Sequence, residues 1–265
     1  MQLSHHRAGR GEPLVLLHGI GCRWQYFEPQ IPLLARDRNV IAIDLPGFGG
    51  SPPLPDGARP TAGALAAAVG AFLQSQSIDP ATAHVAGNSL GGHVALELAA
   101  RHGARSVCAL SPVGFLDARE RAWLETSLAL TDRAVRALRP ALGALCASPV
   151  GRTMLMGQLM TRPWRVPAAV LERNLAAFLA APGWDATRSV IGEGRFERGP
   201  ELAHIPVTIA WAAHDRLVLP GGARRALERI PAARLLWLRG CGHLPFWDDP
   251  GQVARAIRSS ARSTS

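Results

Sequence analysis

Six short, almost unbroken apolar runs constrain this chain more than any other feature: Leu14–Leu17, Val40–Ile43, His84–Ala86, Ser106–Leu110, Val207–Trp211 and Leu235–Leu238. A strand with one wet face alternates apolar and polar side chains, whereas a strand covered on both faces is apolar throughout. Helical patterns lie between or after the runs, at 61–76, 90–102, 221–229 and 250–262. Strands alternating with helices predict an α/β fold: a mostly parallel central sheet with right-handed crossovers, flanked by helices. At 265 residues the chain has room for such a domain carrying an insertion.

Residues 112–200 break the alternation. Helical patterns at Ala118–Leu138, 150–161 and 167–180 are punctuated by Pro140, Pro149, Pro163, Pro167 and Pro182, with no convincing strand run. An all-helical stretch between two strands of one sheet predicts a cap over one edge. The expected division is a core of 1–111 and 201–265 and a helical cap of 112–200.

The third run enters its helix through Gly87-Asn88-Ser89-Leu90-Gly91. A serine hydroxyl is a poor nucleophile until a base takes its proton, and it must stand clear of the backbone to be reached. A sharp strand-to-helix turn presents it, but crowds the residues two before and two after it. Glycines 87 and 91 relieve that crowding, and Gly92 lets the helix approach the sheet. Alone, the pentapeptide also fits a glycine-rich turn with a serine N-cap or a weak phosphate loop.

Three further motifs end strands. Leu14–Leu17 runs into His18-Gly19-Ile20-Gly21. Acyl transfer builds negative charge on a carbonyl oxygen, and losing one preorganised N–H donor there costs roughly 2.7–4 kcal/mol. The N–H groups of Leu90 and Ile20 are the candidate donors, with His18 orienting the loop. Val207–Trp211 leads to His214-Asp215-Arg216, placing an acid at the rim of the sheet where it can hold a histidine in one tautomer. Leu235–Leu238 leads to Gly242-His243 on a loop expected to be mobile. The order Ser…Asp…His is the one this hydrolase arrangement requires. His214 is a rival base, Asp117 a rival acid, and Asp248 a third carboxylate near His243. Asp249-Pro250 reads as a helix N-cap with proline at N1.

Composition narrows the function classes. Apolar residues at 48% and charged residues at 18% describe a globular chain. The net charge of +9 comes entirely from arginine, with no lysine. These arginines are scattered among acids, and no nucleic-acid motif accompanies them, so GC-rich codon usage explains them better than a nucleic-acid partner. The four cysteines (Cys22, Cys108, Cys146 and Cys241) form no CxxC pair, which argues against a zinc site or a disulfide framework. Cys22 and Cys241 both adjoin motifs and are candidate neighbours in space. The N-terminus lacks an apolar signal core and no apolar stretch reaches a membrane span, so the expectation is a cytoplasmic protein. The tail from Ala254 reads as a fraying helix end. Nothing separates a monomer from a homodimer.

Five motifs together, His18-Gly-Ile-Gly21, Asp44-Leu-Pro-Gly-Phe-Gly-Gly-Ser51, Gly87-Asn-Ser-Leu-Gly-Gly92, Asp215-Arg-Leu-Val218 and Gly242-His243, resemble the α/β-hydrolase superfamily across nearly the whole chain. The resemblance implies a Ser89–His243–Asp215 triad, an oxyanion hole from Ile20 and Leu90, and a cap at 112–200. It implies hydrolysis of a carboxylic ester, or a related acyl bond such as a lactone, in a small, largely apolar substrate. The route is an acyl-enzyme, without metal or organic cofactor. Serine at 89 sets the chain apart from the dehalogenases and epoxide hydrolases of this fold that use an aspartate nucleophile. Two other readings stay open. The Gly-Asn-Ser-Leu-Gly-Gly form and Trp247 resemble the carbon–carbon bond hydrolases that act on ring-fission diketones, although Gly21-Cys22-Arg23-Trp24 departs from their usual Gly-Pro-Gly. The fold also serves non-catalytic small-molecule sensors. Trp123, Met156, Met160, Trp164 and Trp247 are the candidate substrate contacts. Leu128, Leu155 and Phe178 are further apolar cap residues.

Overall fold

The computed structural model describes residues 1–55 and 57–261, with the side chain of Ala261 excluded. The six apolar runs all lie in strands: β2 (Glu12–Leu17), β3 (Arg38–Ile43), β4 (His84–Asn88), β5 (Ser106–Leu110), β6 (Val207–Ala212) and β7 (Arg234–Leu238). A seventh strand, β1 (His5–Ala8), was not foreseen, because His5-His6-Arg7-Ala8 has no apolar run. It needs none: it pairs antiparallel with β3 at the edge of the sheet, where polar side chains face water. The order is β1-β3-β2-β4-β5-β6-β7, and every pair but the first is parallel. Strands β4, β5 and β6 are buried along their whole length, which is why their sequences do not alternate.

Ten α-helices accompany these strands among the described residues: α1 (Ile31–Leu34), α2 (Ala62–Ser75), α3 (Leu90–His102), α4 (Ala118–Ala137), α5 (Leu142–Ala147), α6 (Pro149–Met156), α7 (Ala168–Ala180), α8 (Trp184–Arg188), α9 (Gly222–Arg229) and α10 (Pro250–Ala261). Helices α2 and α3 pack together against the sheet, as do α1 and α10. Asp249 Oδ1 accepts from Gln252 N at 2.8 Å, so the expected N-cap of α10 is formed. Of the expected tail from Ala254, residues 254–261 are the end of α10, and residues 262–265 lie outside the described residues. Among those described, no helix is long and apolar enough to cross a membrane.

Helices α4 to α8 all lie between β5 and β6, with no strand among them. Prolines punctuate this stretch as expected. Pro140 sits in the tight turn Arg139–Ala141, and Pro149 follows the Ser148 N-cap of α6. The helix expected over 150–161 stops at Met156, and α5 and α8 were not foreseen. Beyond Gly157 the chain is held away from helix: the N–H groups of Thr161 and Arg162 donate to the buried carboxylate of Asp248.

Register sets where chemistry can occur. Leu17 of β2 lies beside Gly87 of β4, Asn88 of β4 beside Leu110 of β5, and Ala212 of β6 beside Leu238 of β7. The loops leaving β2, β4, β6 and β7 therefore emerge along one rim. That is the ligand-binding edge of an open parallel sheet.

Candidate active site

The turn from β4 into α3 is strained at its apex. Ser89 has φ +57° and ψ −118°, outside the comfortable regions for a residue with a side chain. It is held by its neighbours: its N–H donates to Leu110 O, and its carbonyl accepts from His93 and Val113 N–H. A methyl group on Gly87 would stand 2.1 Å from Gly91 O, and one on Gly91 would stand 2.2 Å from Leu17 O. The two glycines thus have different tasks. Gly87 lets the turn close on itself, and Gly91 lets α3 approach the end of β2. Gly92 brings α3 close to the sheet as expected: a methyl group there would stand 3.1 Å from the carbonyl oxygen of Gly87, in β4, and 3.1 Å from Pro112.

His243 Nδ1 lies 2.8 Å from Asp215 Oδ2, with both side chains buried. The other carboxylate oxygen, Oδ1, accepts from Leu217 N at 3.0 Å and Val218 N at 2.8 Å. Three donors thus hold the carboxylate, and the proton between the pair sits on Nδ1, leaving Nε2 as the free ring nitrogen. His243 and Ser89 line the same cavity.

The loop carrying His243 was expected to be mobile. It is tied on three sides. Asn88 Nδ2 donates to His243 O at 3.1 Å, Gly242 N to Asp248 Oδ2 at 2.8 Å, and Leu244 N to Leu159 O at 2.8 Å. Asp248 is thus a buried backbone clamp rather than an acid for the histidine. Neither Asn88 nor Asp248 stands out in the sequence as a positioning residue, because the bonds they make span 155 and up to 87 positions.

The rivals are elsewhere. Asp117 caps α4 in a capping box with Glu120, its side chain half exposed beside Arg225. His214 is exposed. His18 orients the loop after β2. Leu45 N–H donates to its Nε2 at 2.9 Å, so the ring proton is on Nδ1, which donates to Gly19 O at 2.7 Å. Burial holds its pKa below the ordinary histidine value, keeping the ring neutral despite the Asp44 charge. Ile20 lines the cavity, and no group among the described residues takes the N–H of Ile20 or Leu90.

The cavity contains roughly 700 Å³ of non-atom space, part of it continuous with solvent. Its walls come from the β2 loop (Gly19 to Cys22), from Leu128, Thr131 and Val135 of α4, from Leu155 and Met156 of α6, and from α7 and α8. Among the described residues, no arginine, aspartate or glutamate lines it. Burial pushes the Cys22 thiol up to about 12 and the Tyr26 phenol well above its ordinary value, so both are neutral.

Of the expected substrate contacts, only Met156 lines this cavity. Met160 and Trp247 line a second, adjoining one. Trp123 and Trp164 are 45% and 49% exposed and line neither. Leu124 and Leu128 form the buried stripe of α4, which turns Trp123 outward to donate to Arg216 O. Leu128, Leu155 and Phe178 are cavity walls, joined by Tyr26, Leu175 and Trp184. All four cysteines are free and buried; Cys22 lines the cavity and Cys241 does not.

The model of the alpha/beta hydrolase family matches residues 14–256. The chain belongs to the alpha/beta hydrolase family. This alpha/beta hydrolase is 41% identical over 264 residues to a pimeloyl-[acyl-carrier protein] methyl ester esterase from Aeromonas hydrophila, covering 97% of this chain and 98% of that one. It is 32% identical over 257 residues to the dihydrolipoyllysine-residue acetyltransferase component of an acetoin cleaving system from Pseudomonas putida. That alignment takes in 95% of the present chain but spans 64% of the length of the other. Among solved structures, an esterase from Rhodococcus sp. ECU1013 superposes with a TM-score of 0.77 at 25% identity, over 99% of this chain and 95% of that one.

Proposed function

We propose that this hydrolase cleaves a carboxylic ester, or a related acyl bond such as a lactone, in a small, largely apolar substrate through an acyl-enzyme. The carrying observation is the Asp215–His243 pair, which leaves Nε2 as the free imidazole nitrogen beside a cavity shared with the strained Ser89. Ser89 Oγ attacks the carbonyl carbon as His243 Nε2 takes its proton. The Ile20 and Leu90 N–H groups donate to the oxyanion. The imidazolium, steadied by Asp215, returns the proton to the leaving alkoxide and an alcohol departs. Water then enters as second nucleophile, giving its proton to His243 and its oxygen to the acyl group, and Ser89 recovers its proton as the acid leaves. Residues 112–200 act as the cap; what supports this is the share of cavity wall that α4, α6, α7 and α8 contribute. The relative named as a methyl ester esterase favours a carboxylic ester over the carbon–carbon bond.

Short p-nitrophenyl esters and a fluorophosphonate probe test this reading. The protein is expected to turn over the esters and take the label at Ser89. Ser89→Ala is expected to abolish both, and His243→Ala to lower kcat by several powers of ten. Labelling elsewhere, or near-normal turnover by His243→Ala, would refute the assignment.

A further inference from the structure

Behind the main cavity lies a second chamber whose roughly 260 Å³ of non-atom space is in part continuous with solvent; its enclosed room is about that of one water molecule, so a larger group enters only as the walls move aside. Tyr26, Met156 and Leu244 line both and form the partition. The chamber is narrow, and two of its walls are Met156 and Met160, unbranched thioethers able to move aside for a slim chain.

Two residues that line this chamber each carry a hydrogen-bond donor without an acceptor among the described residues. Asn174 is only 3% exposed, and its Oδ1 accepts from Arg23 Nε at 3.1 Å. That bond fixes the amide orientation and leaves Nδ2 unused. Trp247 Nε1 is buried and unpartnered. Unpaired buried donors are uncommon and costly, and those that persist call for an occupant. A hydrocarbon end would leave both unpaired. A carboxylate would meet no cation, because no charged side chain among the described residues lines the chamber, and burying an unpaired anion costs more than either.

We propose that the second chamber receives the far end of the substrate, and that this end carries a neutral oxygen accepting from Trp247 Nε1 and Asn174 Nδ2. This rests on the reading of Ser89 as nucleophile in the adjoining cavity. The substrate is then an ester whose acyl chain passes the Met156 partition and bears a carbonyl, ether or hydroxyl several atoms from the scissile bond. The distal oxygen undergoes no reaction; it sets the register of the chain.

The test compares kcat/KM of the full chain for p-nitrophenyl octanoate and its 5-, 6- and 7-oxo analogues, which share one leaving group. At least one oxo ester is expected to be preferred by about tenfold, the worth of a buried hydrogen bond otherwise unmade. Trp247→Phe keeps the ring and removes the donor, and Asn174→Leu removes the other; each is expected to shrink the oxo-to-plain ratio toward unity. If water fills the chamber instead, the wild-type ratio is near one for every position, and the proposal falls without recourse to a variant. It falls equally if both variants keep the wild-type ratio. p-Nitrophenyl acetate, too short to reach the chamber, reports separately on Ser89: loss of its turnover in Ser89→Ala with a flat oxo ratio refutes the chamber alone.

Discussion

At the scale of single residues, one carboxylate must be told from another. Asp215 and Asp117 both follow the end of a central strand, but their surroundings assign them different work. Asp215 is buried, bonded through one oxygen to two backbone N–H groups and through the other to His243. Asp117 turns a single oxygen, Oδ1, to the N–H groups of both Arg119 and Glu120 at the start of α4. Asp215→Asn is expected to lower kcat by about 10⁴, because an amide in its place favours the wrong tautomer of the histidine. Asp117→Ala is expected to leave turnover intact and to lower unfolding free energy by about 1 kcal/mol, the usual worth of an N-cap. Steady-state kinetics and urea melts of the two variants separate these roles; the reverse pattern would move the acid to Asp117.

At the scale of elements, the main feature is how the helical stretch between β5 and β6 is joined to the loop that bears His243. Asp248 gathers the N–H groups of Thr161, Arg162 and Gly242, while its own carbonyl accepts from Arg162 and Arg165. Thr161 Oγ1 donates to Gly240 O, and Leu244 N to Leu159 O. The carbonyl of the partition residue Met156 accepts from Leu159 and Met160 N–H, so the knot joins the end of α6 to the loop that carries the imidazole at 243. Asp248→Leu strands one buried donor, the Gly242 N–H, at a cost of about 1–3 kcal/mol, and two partly buried ones, the Thr161 and Arg162 N–H groups. The expected result is a fall in melting temperature together with a fall in kcat larger than any rise in KM. The knot fixes the imidazole directly, whereas most of the apolar walls that would bind substrate stand outside it. A variant with unchanged kcat and a raised KM would show that the knot positions the cap side only.

At the scale of the whole molecule, buried neutral histidines link stability to pH. His93, on α3, is packed edge-on against Phe196, with Gly114 and Gly194 close to its ring. Glu97 Oε1 is 3.9 Å away, but the other oxygen of that carboxylate is taken by Arg101, and burial dominates, pulling the His93 pKa down to about 4. With the folded value depressed below the unfolded 6.5, the unfolded chain binds the extra proton first as pH falls. Stability from this group is complete above pH 6.5 and is lost between 6.5 and about 4, at about 1.4 kcal/mol per pH unit. Urea unfolding at pH 7 and pH 4.5 is expected to show a drop about 2–3 kcal/mol smaller in His93→Gln than in the wild type. Equal drops would mean that the imidazole finds a partner when charged.

The parts of this protein legible in its sequence are those governed by neighbours along the chain. Strands β2 to β6 announce themselves because burial on both faces over most of their length leaves a continuous apolar run; β7 carries such a run too, although as an edge strand it is buried only at Leu238. The Ser89 turn announces itself because its crowding demands glycine at two fixed offsets. What the sequence left open depends on contacts between distant segments. Strand β1 has a polar edge-strand sequence and exists through its pairing with β3. Trp123 and Trp164 have the composition of substrate walls, yet the orientation of α4 turns Trp123 outward and Trp164 lies exposed in the short turn Pro163–Arg165, while Tyr26, Leu175 and Trp184 line the cavity without any local mark. Asn88 and Asp248 acquire their tasks only where the chain returns to them after 155 and up to 87 residues. Periodicity and local sterics were enough to determine the sheet and the turn that presents the serine. Only tertiary packing decided which side chains face the cavity, because a helix face has no meaning until something is laid against it.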